Sequence, residues 1–334
     1  MNENKINSHI VGMGYYAPEN IIDNEYFTQF MDTSDEWITE RTGIKQRRFA
    51  NTGQGPADIS IPAVEMALKN AQLTVNDIDF IIFATSTPDY YIPGSGCILQ
   101  EKMNFPTIGA LDIRNACSGF IYAISIADQF IKNKTYKNIL VVTAEVQSTA
   151  MNLTNTGRDT SVIFADGAAA TILSATHQDE GILSTHLHSE GKYLKELWVE
   201  APSSKANPKL SQEIIDQEKH YLKMNGREVF KHAVKRFPEV IIEGLKHNNL
   251  DVNDIDLLIP HQANVRISKM IQKKLGLKDH QVISNIHKYG NTTAASIPIA
   301  LCETINNDKL CKGDTLVLAA FGSGFSWGSA ILKW

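Results

Sequence analysis

The sequence predicts an α/β fold made of two related halves, each a largely parallel sheet covered by helices. Apolar runs of strand length alternate with helix-length amphipathic segments, which is the pattern of a sheet whose faces carry helices. The string Val-Asn-Asp-Ile-Asp occurs within residues 73–82 and again within residues 250–259, so the offset is 250 − 73 = 177. A chain of 334 residues is also too long for one small core and suits two packed halves.

Two further pairs of segments keep nearly the same spacing. Residues 140–144 resemble residues 316–320, an offset of 316 − 140 = 176, and Cys117 corresponds to Asn291, an offset of 291 − 117 = 174. Each half has the order helix, strand, helix, strand, helix, strand. Chance similarity between two helix–strand units is the alternative, but three landmarks in the same order favour duplication. We predict a first half at 1–175 and a second half at 176–334.

Composition and charge narrow the classes of function. The net charge of −5 argues against a general nucleic-acid binder, and 43% hydrophobic with 21% charged residues is ordinary for a globular protein. The chain has no apolar run of the roughly 18 residues that a membrane-spanning helix needs. Residues 1–10 are polar and lack an apolar core or cleavage site, so we expect no signal peptide, a cytoplasmic location and no membrane partner.

The cysteines do not suggest a metal centre or a redox pair. None of the four belongs to a Cys-x-x-Cys pair, and we expect four free thiols and no metal. Core filling is the expected role of Cys97 and Cys302, which fall in predicted helices, while Cys311 is expected in a loop or at a helix end. The remaining cysteine, Cys117, has a different context.

The predicted strand ends define where to look for chemistry, because ligands in α/β folds gather at the carboxyl ends of strands. Two related halves packed face to face would bring two such ends together. The residues at these positions are 84–89, Cys117 and 144–145 in the first half, and His261, Asn291 and 321–325 in the second.

Cys117 is predicted to be a nucleophile at the first turn of a buried helix, with Asn115 as the N-cap. Backbone amides at a helix N-terminus favour an anion, so we expect them to lower the pKa of this thiol and populate the attacking thiolate. The small neighbours Ala116, Ser118 and Gly119 leave room for a thioester. The alternative is a small buried residue that merely fills a tight strand-to-helix junction.

His261 and Asn291 are the candidate partners of the cysteine in the second half. His261 follows a buried apolar strand, where an imidazole can donate a hydrogen bond to a carbonyl oxygen or move a proton. Asn291 precedes a predicted helix and, as the counterpart of Cys117, is expected to face it. The alternative for His261 is a purely structural role, and the alternative for Asn291 is that of a helix N-cap.

The glycine-containing loop at residues 321–325 is expected to expose backbone N–H groups after the last long strand. The N–H of Ser323, together with that of Cys117, would form an oxyanion hole for a tetrahedral thioester intermediate. A plain β-turn is the alternative. Residues 324–328 match the Gly-x-Ser-x-Gly elbow of hydrolases, but no Asp or His follows and the segment has the pattern of a final strand, so we reject a hydrolase.

Seven motifs in order resemble β-ketoacyl-acyl-carrier-protein synthase III, a family of the thiolase-fold superfamily. The motifs occupy residues 33–38 with 41–44, 116–120, 164–168, 224–230, 260–264, 290–298 and 324–330. The resemblance implies a thiolase-like fold, with two duplicated α/β halves related by a pseudo-twofold axis and layered α-β-α-β-α. It also implies that Cys117 takes an acyl group from acyl-CoA, and that His261 and Asn291 bind the thioester oxygen of a malonyl group and stabilise the enolate left by decarboxylation.

The same resemblance implies binding residues and partners. The positions that match CoA- and pantetheine-binding residues are Trp37, Arg41, Arg158, Gly226, Phe230 and Asn264, and those that match a basic rim for the carrier protein are Lys231, Arg266, Lys273 and Lys274. A solvated helix face is the alternative for the basic rim. The implied partners are acyl-CoA, malonyl-acyl-carrier protein and a second copy of the chain, whose acyl pocket would lie near Tyr91 and Ile92. No metal or bound cofactor is implied, because CoA thioesters are substrates.

Departures from the family pattern leave the acyl donor open. The glycine loop has Ser323 where the family often has a third glycine, and residues 112–116 differ from the usual run of small residues before the cysteine. The polar segment at about 186–220 is unexplained. Three functions are therefore weighed: priming condensation for fatty-acid synthesis, a specialised condensing or acyl-transfer enzyme of secondary metabolism with a longer or unusual donor, and a CoA- or carrier-binding module without catalysis.

Overall fold

The structure is a computed structural model that describes residues 6–334. Residues 1–5, the start of the segment considered for a signal peptide, lie outside the described residues. The first part of the chain contains strands β1 (Asn7–Tyr16), β2 (Asn20–Asp23), β3 (Gln46–Phe49), β4 (Phe80–Ala84), β5 (Gly109–Ile113), β6 (Asn138–Glu145) and β7 (Gly167–Thr176), and helices α1 (Glu25–Thr28), α2 (Asp35–Thr42), α3 (Pro56–Ala71), α4 (Ser95–Lys102), α5 (Gly119–Lys132) and α6 (Arg158–Ser161).

The second part repeats this alternation. It contains strands β8 (Gly181–Ser189), β9 (Leu197–Val199), β10 (Leu222–Met224), β11 (Leu257–Pro260), β12 (Thr315–Gly322) and β13 (Ser326–Lys333), and helices α7 (Gln212–Asp216), α8 (Gly226–His247), α9 (Val265–Leu275), α10 (Ile286–Tyr289) and α11 (Ser296–Asn306). β7 ends at Thr176 and β8 begins at Gly181. The predicted division at 175/176 lies one residue before the end of β7 and stays a prediction.

Two main sheets share one topology. The first has the strand order β1-β7-β6-β4-β5 and the second has the order β8-β13-β12-β11. In both sheets the inner pairs run parallel, β4 with β5 and β6 in one and β11 with β12 in the other, whereas β7 and β13 run antiparallel to both of their neighbours. Each sheet is therefore mixed rather than largely parallel, because these returning strands arrive without a crossover helix. A parallel bridge between Leu258 and Val282 stands where the second sheet lacks a counterpart of β5.

The equivalent elements of the two halves lie 177 residues apart. Phe80 and Leu257 begin β4 and β11, Gly119 and Ser296 begin α5 and α11, and β6 and β12 begin at residues 138 and 315. On this spacing the counterpart of Cys117 is Ala294, and Asn291 corresponds to position 114. The predicted equivalence of Cys117 with Asn291 is therefore wrong, and the offset of 177 from the repeated string is the correct one.

The order of helix and sheet layers depends on which helices are apolar on every side, because such helices must lie between the two sheets. α5 and α11 are buried along most of their length, and one cluster of core side chains joins them to both sheets. A second cluster packs α3 against the outer face of the first sheet, and a third packs α8 and α9 against the outer face of the second. The result is the layered α-β-α-β-α, thiolase-like architecture that the family resemblance implied, with α5 and α11 in the central layer.

The cysteines outside the site behave in two ways. Cys302 is buried in α11 and fills the core as expected. Cys311 lies exposed before β12, also as expected. The expectation for Cys97 is wrong, because its position on α4 faces solvent. Within residues 6–334, no helix has the length and apolar character needed to cross a membrane.

Candidate active site

Cys117 lies in a tight turn between β5 and α5. The turn is a short 3₁₀ helix over Ala116–Ser118, in which Ala116 takes a positive φ of 43°. This left-handed conformation is strained for a residue with a Cβ and turns the chain sharply into α5. Asn115 makes no side-chain cap, so that prediction is wrong; its carbonyl oxygen instead accepts the N–H of Ser118 at 3.1 Å.

The Cys117 thiol is held in its neutral form. Burial, with the nearby Glu145 carboxylate, raises its pKa to about 12, while the backbone N–H groups of Cys117 and Ser323 act in the opposite direction. The predicted lowering of the pKa is wrong because only 5% of the residue is exposed and the loss of hydration outweighs the amides. The influence of both amides on the thiol indicates that they face the sulfur.

Gly322 brings the end of β12 against the cysteine. A Cβ at this position would stand 2.5 Å from the Cβ of Cys117 and 2.9 Å from its sulfur, so no side chain fits without a displacement. The Ser323 hydroxyl is turned away and donates to the carbonyl oxygen of Leu197 at 2.6 Å. The absence of a side chain at residue 322 therefore lets the Ser323 backbone reach the sulfur.

His261 follows the end of β11 and is 1% exposed. Its backbone N–H donates to Ala319 at 2.8 Å, and its ring Nδ1 lies 2.6 Å from the hydroxyl oxygen of Ser296. The other ring nitrogen, Nε2, is buried and has no hydrogen-bond partner among residues 6–334. Burial lowers the pKa of the ring to about 3, so the imidazole is neutral at physiological pH.

The Asn291 amide is held by its own turn. Its Oδ1 accepts the backbone N–H of Thr293 at 2.9 Å. The N-cap alternative is nevertheless wrong, because Thr292 and Ala295 occupy the N-cap positions of the 3₁₀ helix Thr293–Ala295 and of α11. The Asn291 backbone is fixed on both sides, by its N–H donating to Ile163 at 3.0 Å and its carbonyl accepting from Ala165 at 2.9 Å. Because the oxygen is occupied, the Nδ2 group is left to donate to another acceptor.

A cavity of about 410 Å³ brings these three side chains together. Cys117, His261 and Asn291 all line it, and the same cavity is lined by Trp37, Arg41, Arg158, Gly226, Phe230 and Asn264. All of the positions matched to CoA and pantetheine binding thus lie on one cavity with the three candidate catalytic residues, although they come from widely separated parts of the sequence.

Aromatic and cationic side chains also line this cavity. The guanidinium carbons of Arg41 and Arg158 lie 4.4 Å and 4.7 Å from the centre of the Trp37 ring. Asn264 joins α2 to α9, since its Nδ2 donates to the Arg41 carbonyl at 2.9 Å and its Oδ1 accepts the N–H of Arg266 at 2.8 Å. A flat aromatic surface between two guanidinium groups suits a planar, phosphorylated ligand.

A second cavity, of about 1090 Å³, also reaches Cys117. It is lined by the loop after β4, by residues 114–116 and 323–326, and by Leu197, Trp198 and Val199 of β9. The previously unexplained polar segment thus supplies one wall of a cavity. Cys117 lies where the two cavities meet, so a group bound to its sulfur has space on both sides.

Comparison with known proteins agrees with this geometry. Residues 111–191 match the family model described as 3-Oxoacyl-[acyl-carrier-protein (ACP)] synthase III, and residues 245–334 match the model of its C-terminal part. A protein of Clostridioides difficile named β-ketoacyl-[acyl-carrier-protein] synthase III is 45% identical over 325 residues, or 97% of this chain and 98% of that protein. This chain belongs to the β-ketoacyl-[acyl-carrier-protein] synthase III family.

Solved structures support the same assignment. The synthase III of Aquifex aeolicus has a TM-score of 0.90 and 39% identity, covering 98% of this chain and 100% of that one. A priming β-ketosynthase from the R1128 polyketide pathway has a TM-score of 0.89 and 28% identity, covering 98% and 97%. As a synthase III, the chain is an acyl-transferring condensing enzyme.

The basic residues predicted to dock the carrier protein do not line either cavity. Lys231, Arg266, Lys273 and Lys274 are exposed on α8 and α9 of this synthase III. Arg266 nevertheless lies beside the Trp37-lined cavity, since its Nε donates to the Glu40 carbonyl of α2 at 3.1 Å. Lys231 pairs with Glu228 at 3.1 Å, which also fits the solvated-face alternative.

Two features of the synthase III site were not visible in the sequence. One is Ser296, whose hydroxyl contacts His261; the sequence predicts a helix after Asn291 but not that this hydroxyl reaches an imidazole 35 residues away. The other is the role of Glu145, a buried carboxyl that accepts hydrogen bonds from Ser86 Oγ at 2.7 Å and Thr87 Oγ1 at 3.0 Å. Its position at a strand end was the available signal, but neither its burial nor its proximity to Cys117 could be inferred from that.

Proposed function

We propose that this chain condenses an acyl-CoA primer with malonyl-acyl-carrier protein, releasing CO₂ and forming a β-ketoacyl-acyl-carrier protein as the initiating step of fatty-acid synthesis. The observation that carries the proposal is the convergence of Cys117, the free Nε2 of His261 and the amide of Asn291 on one cavity. A nucleophile and two neutral hydrogen-bond donors are the groups that acyl transfer followed by decarboxylation requires.

In the first half-reaction, Cys117 takes the acyl group. Its sulfur attacks the carbonyl carbon of acyl-CoA, the thioester bond to CoA breaks, and the thiol proton ends on the CoA sulfur. The backbone N–H groups of Cys117 and Ser323 would stabilise the oxyanion of the tetrahedral intermediate. Because burial raises the pKa of the thiol, the neutral thiol is the predominant form before attack.

In the second half-reaction, a malonyl thioester binds with its carbonyl oxygen between His261 and Asn291. The carboxylate leaves as CO₂, and the electrons of the broken C–C bond form an enolate at that oxygen. Its carbon attacks the acyl–Cys117 thioester, which forms the new C–C bond and releases the Cys117 thiolate to recover a proton. Neutral donors suit this step, because a fixed cation would hold the malonyl carboxylate in place by charge rather than favour its loss.

The binding residues follow from the same cavity. We propose that Trp37, Arg41 and Arg158 hold the CoA nucleotide, and that Gly226, Phe230 and Asn264 contact the pantetheine arm. Lys231, Arg266, Lys273 and Lys274 would attract the acidic carrier protein. The acyl chain would extend into the larger cavity. None of these steps calls for a metal or resident cofactor, and within residues 6–334 no group of three His, Cys, Asp or Glu side chains is placed to hold a metal ion.

We also propose a homodimer in the cytoplasm. Tyr90, Tyr91 and Ile92 form an exposed apolar tip, with Ile92 80% exposed, and Tyr91 also lines the larger cavity. Covering this tip with a second copy would bury its apolar surface and close the cavity at the same time. Sedimentation of the purified protein tests the dimer, and a monomer at micromolar concentration would contradict it.

The other two functions are less well supported. The relatives of highest listed identity are named synthase III rather than enzymes of secondary metabolism, so a specialised donor is not favoured. A binding module without catalysis does not account for a cysteine, a histidine and an asparagine converging on one cavity.

Radiolabelled acetyl-CoA tests the first half-reaction. The purified protein should acquire label that survives denaturation and is released by hydroxylamine, and Cys117→Ala should abolish it. Cys302→Ala, which removes another buried thiol that lines neither cavity, should leave the labelling intact. Label that persists in folded Cys117→Ala would refute the assignment.

The second half-reaction is tested separately. His261→Ala and Asn291→Ala should retain acyl loading but lose most of the condensation with malonyl-acyl-carrier protein, measured by mass spectrometry of the product. Equal loss of both half-reactions would show that the proposed division of roles is wrong. Replacing acetyl-CoA by branched, medium-chain and aryl donors would define the preferred primer.

A further inference from the structure

The hydroxyl group of Ser296 connects the start of α11 to His261. Its oxygen lies 2.6 Å from Nδ1 of His261 and 3.3 Å from the backbone nitrogen of Gln262. Both Ser296 and His261 are almost fully buried. These two contacts therefore determine which way the Ser296 hydroxyl donates and which ring nitrogen of His261 carries the hydrogen.

Counting donors and acceptors assigns the tautomer. The Gln262 N–H can only donate, so the Ser296 oxygen accepts from it. The hydroxyl hydrogen of Ser296 then needs an acceptor, and within residues 6–334 the only such atom at hydrogen-bond distance is Nδ1 of His261. A neutral imidazole that accepts at Nδ1 carries its hydrogen on Nε2.

The opposite tautomer fits the surroundings less well. If Nδ1 carried the hydrogen and donated it to Ser296, the hydroxyl hydrogen would have no acceptor in the described part of the chain. A buried hydroxyl without an acceptor is unfavourable, because it has given up its hydrogen bond to water and gained none in return. Nε2 would then present a lone pair to the cavity.

We propose that Ser296 is a positioning residue that fixes the Nε2–H tautomer of His261, so that the ring offers a hydrogen-bond donor to the thioester oxygen in the cavity. The tautomer is a property of the free protein, whereas its use in decarboxylation rests on the proposed function. The burial that keeps the ring neutral supports the arrangement, since a protonated ring would be a donor at both nitrogens and would need no such control.

The role of Ser296 differs from that of His261 itself. Ser296 does not line the cavity; it acts by holding Nδ1 as an acceptor. Ser296→Ala removes the donor to Nδ1 and leaves both the ring and the Gln262 N–H without a partner. The ring can then carry its hydrogen on either nitrogen, and in the wrong tautomer it repels the developing negative charge. Condensation should suffer, while acyl loading, which uses backbone donors, should not.

Nitrogen NMR of protein labelled with ¹⁵N-histidine tests the tautomer directly. Resonances of His261 are assigned by their loss in His261→Ala. In the wild-type protein, Nδ1 should show the shift of an unprotonated nitrogen and Nε2 that of a protonated one between pH 6 and pH 8. In Ser296→Ala the two shifts should move towards each other as the tautomers mix.

Kinetics test the use of the tautomer. Ser296→Ala should lower kcat of condensation tenfold or more with little change in KM for malonyl-acyl-carrier protein or in the rate of acyl loading. Ser296→Thr, which restores a hydroxyl, should recover much of kcat. Ser60→Ala is the matched control, because it removes a buried hydroxyl of α3 whose one side-chain hydrogen bond within residues 6–334 is to the Ala57 carbonyl at 2.8 Å, and it should change neither measurement.

The outcomes separate the two proposals. A wild-type ring protonated at Nδ1, or a Ser296→Ala protein that keeps both the Nε2–H tautomer and full condensation, overturns the role of Ser296. A different result separates the proposed function from the role of Ser296. If the wild-type protein shows the Nε2–H tautomer and Ser296→Ala disturbs it, but no acyl-CoA supports condensation, the proposed function fails while the positioning by Ser296 stands.

Discussion

The protonation state of Cys117 gives the sharpest prediction. A nucleophilic cysteine at a helix start would ordinarily be expected to have a low pKa. Burial instead raises the pKa of this thiol to about 12, with Glu145 adding to the effect. The free enzyme should therefore hold a neutral thiol across the physiological range, and alkylation by iodoacetamide, which requires the thiolate, reports on this directly.

The size of the effect follows from the pKa. At pH 7.5 a thiol of pKa about 12 is thiolate in about 3 molecules per 100,000, whereas an ordinary thiol of pKa ~8.5 is thiolate in roughly one of ten. The thiolate fraction of Cys117 at pH 7.5 should therefore be about three thousandfold lower than that of an ordinary thiol. Limited access to a buried sulfur would also slow the reagent, so the rate at one pH is not decisive. The slope of the logarithm of the rate against pH is decisive, because limited access of the reagent does not change that slope.

The assay is therefore a pH series. Alkylation of Cys117 is followed by peptide mass spectrometry from pH 6 to pH 10, with circular dichroism confirming that the protein stays folded. Above pH 8, where Glu145 with its burial-raised pKa of about 7 is already ionised, the logarithm of the rate should rise by about one unit per pH unit, without a plateau. The exposed Cys97, in the same molecules, serves as a control for the concentration of active reagent.

A plateau below about pH 9 would refute the reasoning, because it would show a thiolate at or below the ordinary pKa. Glu145→Gln extends the test. It removes the negative charge that opposes the thiolate while preserving an oxygen that can accept the bonds from Ser86 and Thr87. Burial raises the pKa of Glu145 itself to about 7, so the comparison is made at pH 9, where this carboxyl is ionised. Alkylation of Cys117 at that pH should become faster in Glu145→Gln, whereas a slower reaction would mean that Glu145 assists rather than opposes ionisation.

Three further predictions concern the cavity and the core. Gly322→Ala should abolish acyl loading and destabilise the fold by about 1–3 kcal/mol in urea unfolding, because its methyl would clash with the Cys117 sulfur; normal loading would contradict the close contact. Trp37→Ala should raise KM for acetyl-CoA about tenfold but leave turnover of a short pantetheine-type thioester unchanged, and equal effects on both donors would exclude nucleotide binding there. Arg47→Met should cost about 2–4 kcal/mol of unfolding free energy, because the buried guanidinium donates to Asn24 and to the Val162 carbonyl, each at 2.8 Å; a loss below 1 kcal/mol would contradict this.

Sequence patterns predicted the fold and the neighbours of the site for a physical reason. A duplicated α/β unit must bury the apolar faces of both sheets, and α5 and α11 are apolar enough to lie between them. This arrangement places the ends of β11 and β12 and the starts of α5 and α11 around one point. His261, Cys117 and the glycine loop were therefore recognisable from their positions relative to strands alone.

The finer relations were not recoverable from the sequence. Asn291 was paired with Cys117 on the basis of similar neighbours, whereas the hydrogen-bonded elements align Ala116 with Thr293, both of which have positive φ. The pKa of Cys117 was predicted with the wrong sign, since a sequence shows that amides lie at a helix start but not that a carboxyl such as Glu145 packs nearby. The contact of Ser296 with His261 depends on two side chains 35 residues apart.

Burial explains several properties of the site together. It raises the pKa of Cys117 and lowers that of His261, so it favours the uncharged form of both groups before substrate arrives. Burial therefore keeps the fraction of Cys117 thiolate small. It would also shield an acyl thioester on the same sulfur from water, which would limit hydrolysis of the acyl-enzyme before the second substrate binds. A malonyl carboxylate entering this cavity would be poorly solvated and would meet neutral donors. Under the proposed function, its conversion to CO₂ would remove that charge, and the Nε2 hydrogen of His261 and the Nδ2 hydrogens of Asn291 would stabilise the enolate that remains.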